Sequence, residues 1–197
     1  MNLIPTQRVG DKTDNLYGLV CTDRRLAKKT YVAARNKLLQ INNWGKTANN
    51  ILQTEFYLCN EKGEEVNRQP QMNDYIKINL LGPGSSSGDG FDWVKIEEII
   101  HKQNDELEFT LIKVRPAVCP LTAGNDIAHF FDAAATSTFI VSRIKNEVIA
   151  EIHGRNEEPN TNTKKVADKV RNTMVAKLAA VKFSDVQWKT LCKGFLS

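Results

Sequence analysis

The hydrophobic rhythm of the chain changes along its length. From Thr54 to about His153 apolar residues alternate with polar ones in short runs, whereas on either side they return every three or four positions. Strands are therefore predicted for the middle and helices for the flanks. The strand-like segments are "TEFYLCN", "DYIKINL", "FDWVKIEEII" and "EFTLIKVRP", then, after a connection of about twenty residues, "STFIVSRI" and "VIAEIH". Lys145, Asn146 and Glu147 between the last two have the length and polarity of a hairpin turn. One further strand, "NLYGLVCTD" (Asn15 to Asp23), precedes the first helix.

Asp23 stands where that helix needs an N-cap, and Ala27, Tyr31, Ala34, Leu38 and Ile41 share one face of it. Gly45 is expected to break it into a long and a short piece. Beyond Pro159, the spacing of Val166, Val170, Met174, Leu178 and Val181 predicts a second long helix from about Thr161 to Val181 that buries this row. A capping box, Ser184 to Gln187, announces a last helix carrying Trp188, Leu191 and Phe195.

One strand, a broken helix, six antiparallel strands and C-terminal helices make an α+β order of elements. That order, over about residues 15–183, resembles the helix-grip topology of the START-like (SRPBCC) superfamily. The resemblance implies a curved antiparallel sheet of about seven strands wrapped on the long helix, with an apolar cavity between them. Ile78, Ile96, Leu111, Val141, Val170 and Met174 would line it. The stretches "DYIKINLLGPGSSSGDGFDW" and "IHGRNEEPN" also resemble a group of uncharacterised bacterial proteins, which implies no activity. The competing architecture is an SH3-like small barrel with flanking helices, closed by three of the central strands.

Composition narrows the class. With 197 residues and 41% hydrophobic content, the chain fits one domain, residues 1–14 being loosely ordered ahead of it. No apolar run approaches membrane-spanning length and no signal-peptide core follows Met1, so a cytoplasmic protein is expected. Cys21, Cys59, Cys119 and Cys192 lie far apart and read as reduced thiols, and neither a metal nor a cofactor motif is present. Charge is uneven: +6 over residues 1–50, −6 over 51–150 and +4 over 151–197. Basic terminal helices suit an acidic protein partner. No aromatic and basic residues interleave as a single-strand nucleic-acid platform requires.

Candidate chemistry lies in three loops. "GPGSSSGDG" (Gly82 to Gly90) has the glycines of an anion-cradling loop but leads into a strand and lacks the lysine, so a mobile hairpin is expected. Asp126, His129 and Asp132 would share a face if their segment were a helical turn, and an acid could then orient the imidazole as a general base. In "EIHGRNEEPN", His153, Arg155 and Asn156 sit where the last strand ends, placed to orient a ligand at a cavity mouth; the plainer reading is a turn with Arg155 paired to Glu151 or Glu157. The leading functional expectation is a non-catalytic binding module for a small apolar or amphipathic ligand, with His153, Arg155, Asn156, Val170 and Met174 as contacts. Behind it stand an assembly protein using its basic helices and an exposed Phe91–Trp93 pair, and a hydrolase or cyclase using His129.

Overall fold

The computed structural model describes residues 3–48, 54–80, 84–161, 166–178 and 184–197, with helical side chains at the C-terminal end described for 169–175 and 186–197. Seven strands form one antiparallel sheet: β1 (Asp11–Val20), β2 (Glu55–Cys59), β3 (Tyr75–Asn79), β4 (Asp92–Gln103), β5 (Leu107–Pro116), β6 (Thr136–Ile144) and β7 (Glu147–Glu157). Their order is β1-β7-β6-β5-β4-β3-β2, so the first strand pairs with the last. Register shifts between Asp11 and Thr13 and between Ile96 and Glu98 bend the sheet locally. β1 and β2 do not pair with each other, so the sheet stays open and the small-barrel alternative is excluded.

α1 (Arg24–Leu39) begins as its sequence demands: Asp23 Oδ1 accepts the Leu26 N–H at 2.8 Å, and Ala27, Tyr31, Ala34 and Leu38 face inward. The helix stops at Gln40, before a 3-10 turn (Ile41–Asn43) and the short α2 (Trp44–Thr47). Gly45 thus lies inside the short helix instead of causing the break. Trp44 is the keystone of the inner core, with ring centroids of Phe139 at 4.6 Å, Phe56 at 5.5 Å and Phe195 at 6.1 Å. Truncating so large a buried ring to Ala costs about 3–5 kcal/mol.

The inner face of the sheet, bearing Phe139, Val141, Ala150 and Ile152, is covered by α1 and by α4 (Ser184–Leu196), whose Leu191, Cys192, Phe195 and Leu196 are buried. α4 packs on β1, β7 and α1, so the architecture is a helix-grip α+β fold in which the last helix is gripped. α3 (Val166–Leu178), the helix expected in that role, lies instead against a 3-10 turn at Ser86–Gly88. Val181 falls outside the described residues.

The outer face carries two smaller clusters. Phe109, Leu111 and Ile140 pack with Leu3 and Ile4 of the N-terminal segment. Trp93, Cys59, Cys119 and Ala128 pack beneath the connection between β5 and β6. Part of the N-terminal segment is tied to the sheet: β1 starts at Asp11, and Asn156 Oδ1 accepts the N–H of Arg8 at 2.7 Å and of Val9 at 3.2 Å. Nor is Trp93 an exposed aromatic. It is fully buried, and its indole N–H donates to Gly88 O at 3.0 Å.

That bond also corrects the picture of the glycine-rich loop, whose residues Gly82 and Pro83 lie outside the described part. From Gly84 to Gly90 it is a closed turn, with Ser85 and Gly88 buried. A Cβ at Gly84 would meet Gly90 O at 1.7 Å, so only glycine permits this closure.

Candidate functional site

Two polar clusters gather the residues that sequence reasoning singled out. The first surrounds His129. Its segment is irregular, so the three-residue spacing does not bring Asp126, His129 and Asp132 to one face. Asp132 instead accepts the Ala134 N–H at 2.7 Å, and His129 Nδ1 accepts the Phe131 N–H at 3.0 Å. The ring stacks on Phe130 with centroids 4.3 Å apart. Burial pushes the imidazole down to about 4, and the Arg171 cation adds to this against the opposing pull of Asp92. A neutral ring whose Nδ1 already accepts a backbone N–H is a structural acceptor, and the acid-oriented base that the spacing suggested is not assembled.

The charged partners of this cluster were missed by sequence reasoning. Arg171 of α3 reaches Asp92 at the start of β4 with both guanidinium nitrogens, one at 3.2 Å. Both side chains are almost completely buried. Asn172 donates to Asn160 O at 2.9 Å, and Asn160 donates to Ile127 O at 3.0 Å and His129 O at 3.1 Å. α3 is thus pinned by polar groups, while Val170 is 59% and Met174 61% exposed. The expected burial of Val170 and Met174 is overturned because the neighbouring Arg171 and Asn172 are the side chains that turn toward the protein, while the side chains of Val166 and Leu178 lie outside the described residues.

The second cluster lies on the outer face at the β7–β1 ladder. His153 pairs across the strands with Asp14, and its Nδ1–H donates to Asp14 Oδ1 at 2.6 Å. Arg155 donates to the same oxygen at 2.6 Å and to Thr13 O at 3.0 Å. Arg155 therefore pairs with Asp14 and not with Glu151 or Glu157. Burial works against a charged imidazole, but the carboxylates of Glu151 and Asp14 outweigh it and His153 is raised above its ordinary value. Burial would also raise Asp14, yet the hydrogen bonds from His153 and Arg155 leave its carboxyl lowered.

Asn156, in the left-handed region at φ 57°, spends its side chain on the N-terminal segment. Because Ile152 faces the inner core, His153 and Arg155 face away from it. These three residues do not stand at the mouth of a space between sheet and helices. Of the residues expected to line that space, Ile96 and Val141 are packed in the inner core and Leu111 lies on the outer face.

The inner face is not covered evenly. Leu39, Val66, Ile78 and Ile99, which carry the core toward β3 and β4, are only half-buried. Beside Leu39 and Ile41 opens a cleft of about 390 Å³ rimmed by Asn36, Gln40, Asn67 and Gln69. Arg68 buttresses it through a two-pronged ion pair with Asp74 at 2.6 and 2.8 Å. Among the described residues no group of three or more His, Cys, Asp or Glu side chains could hold a metal ion, and no helix is long and apolar enough to cross a membrane.

Set beside solved structures, the chain superposes along its whole length on a hypothetical protein from Helicobacter pylori, covering 97% of that chain at 9% identity and a TM-score of 0.53. What this likeness shows is the fold. A major latex-like protein from Panax ginseng (13% identity, TM-score 0.33) and norcoclaurine synthase from Thalictrum flavum (9%, 0.32) each align over 90% of this chain and 97% and 99% of their own. At those scores neither carries an argument about site or ligand. No protein-family model and no curated protein matches the sequence.

Proposed function

We propose that the protein is a non-catalytic binding module for a small amphipathic ligand, held against the thinly covered half of the inner face. The observation that carries this reading is the cleft beside the half-buried Leu39, whose rim is made of side-chain amides. A mostly polar cleft with one apolar patch at Leu39 suits a ligand with a small apolar body and a polar head. His153, Arg155 and Asn156 play no part in it.

Titration with 1-anilinonaphthalene-8-sulfonate tests the proposal. Saturable enhancement at one probe per chain is expected, with Leu39→Gln weakening binding about tenfold or more through loss of apolar contact. Met174→Gln, at an exposed position on α3 away from the cleft lining, is expected to leave both binding and melting unchanged. Non-saturable binding, or equal binding by wild type and Leu39→Gln, would overturn the reading.

A further inference from the structure

The outer face holds a concentration of unmet hydrogen-bonding capacity. Thr136 Oγ1, Thr138 Oγ1 and His153 Nε2 are buried atoms without a hydrogen-bond partner, and all three belong to one patch of β6 and β7. Thr138 stands opposite His153 on one side and Lys113 on the other. Thr136 stands opposite Arg155, and Arg115, which follows the Val114 partner of Ser137, lies on its other side. Native proteins seldom leave a buried hydroxyl unanswered, so two adjacent ones mark a place for a further hydrogen-bonding partner.

The charges around these hydroxyls are arranged in rings. His153, Arg155, Lys113 and Arg115 occupy the two strands next to β6, whereas their partners Asp14, Glu97 and Glu98 occupy β1 and β4, one strand farther out. Strands are spaced by about 4.8 Å, so the cationic side chains are rooted one strand away from the hydroxyls and their acidic partners two. Glu151 is the one carboxylate on a flanking strand in this region; it faces Ile140 and lies 3.6 Å from His153 Nε2.

We propose that the Thr136 and Thr138 hydroxyls, ringed by His153, Arg155, Lys113 and Arg115, form a binding site for a small oxyanion of the phosphate class. Residues two apart on a strand are separated by about 6.6 Å, a span that oxygens on one tetrahedral centre bridge between two donors. Hydroxyl and cationic donors to an oxyanion are also the stronger kind of hydrogen bond. Entry requires the covering side chains to turn, and Arg115, whose side chain is 35% exposed, is the one placed to do so. The site is on the opposite face of the sheet from the amphipathic-ligand reading and does not depend on it.

The test follows melting of the full chain as sodium phosphate replaces sodium chloride at constant ionic strength. The melting temperature of the wild type should rise and saturate, because a ligand bound by the native state alone stabilises it by mass action. Thr138→Val, which removes an unmet hydroxyl while keeping shape, should melt at or above the phosphate-free wild type and bind phosphate about tenfold more weakly or worse, while Thr138→Ser keeps its affinity. Cosedimentation with phosphatidylcholine vesicles containing phosphatidic acid, without a response to inorganic phosphate, would assign the same site to a lipid headgroup. Should Thr138→Val not fold, the His153 imidazole nitrogen resonances of the wild type must move with phosphate and stay fixed with chloride. Absence of a saturable response in both arms, or equal responses in wild type and Thr138→Val, overturns the proposal.

Discussion

His129 and His153 are almost equally buried, at 6% and 7% exposure, yet their surroundings drive proton affinity in opposite directions. His129 is stacked on Phe130 and faces a buried Asp92–Arg171 pair that is already neutral as a unit, so desolvation prevails. His153 faces Asp14 and Glu151, of which Asp14 is 42% exposed in its side chain, so two carboxylates prevail over desolvation. Burial alone therefore does not decide protonation; the charge left over among the neighbours does.

The largest expected effect breaks the first region. Arg171→Ala leaves Asp92 buried without its partner and should cost about 3–5 kcal/mol in urea unfolding, whereas Asp92→Leu with Arg171→Met should recover most of it. If the single change is nearly neutral, α3 is not held by this pair.

Next in size is the acid response. Because the folded pKa of His129 is lowered to about 4, its contribution is complete above about pH 6.5, declines as pH falls, and is lost by about pH 4, amounting to about 3 kcal/mol. His129→Gln should flatten that limb. At His153 the sign reverses: the raised imidazole stabilises fully below about pH 6.5 and the gain is lost as pH rises through the folded value. The lowered Asp14 stabilises above about pH 3.9 and its gain is lost as pH falls through its folded value. His153→Gln should therefore remove a decline on the alkaline side, and a matching decline in the variant would refute the assignment.

The smallest effect concerns the clamp beside the second region. Asn156→Ala loses the left-handed preference and the bonds to Arg8 and Val9, for about 1–2 kcal/mol. Faster amide exchange at those two residues, with β4 and β5 unchanged, is the expected readout.

Much of the fold was legible because strand alternation and helical spacing are local signals. The Asp23 cap, all seven strands and the buried row of α1 follow from them. α3 misled for a physical reason: Val170 and Met174 lie in an apolar helical row, but the residue that decides its orientation, Arg171, finds its partner 79 positions away at Asp92. The residues of the outer cluster were visible as a polar patch at "IHGRN", while Asp14, 139 positions from His153, was not. Trp93 looked exposed beside a glycine-rich loop because nothing local tells that the loop folds back and accepts the indole N–H.

The pairing of first strand with last also orders events during synthesis. β2 to β6 meet partners close in sequence and can assemble as they emerge, but β1 must wait for β7, and α4, which packs on both, comes later still. Until then β1 is an unpaired strand whose Leu16 and Val20 stay exposed even in the finished protein. A nascent chain stalled before Glu147 therefore carries an open apolar edge for the whole of the pause, and chaperone capture or aggregation at the ribosome should concentrate in that interval.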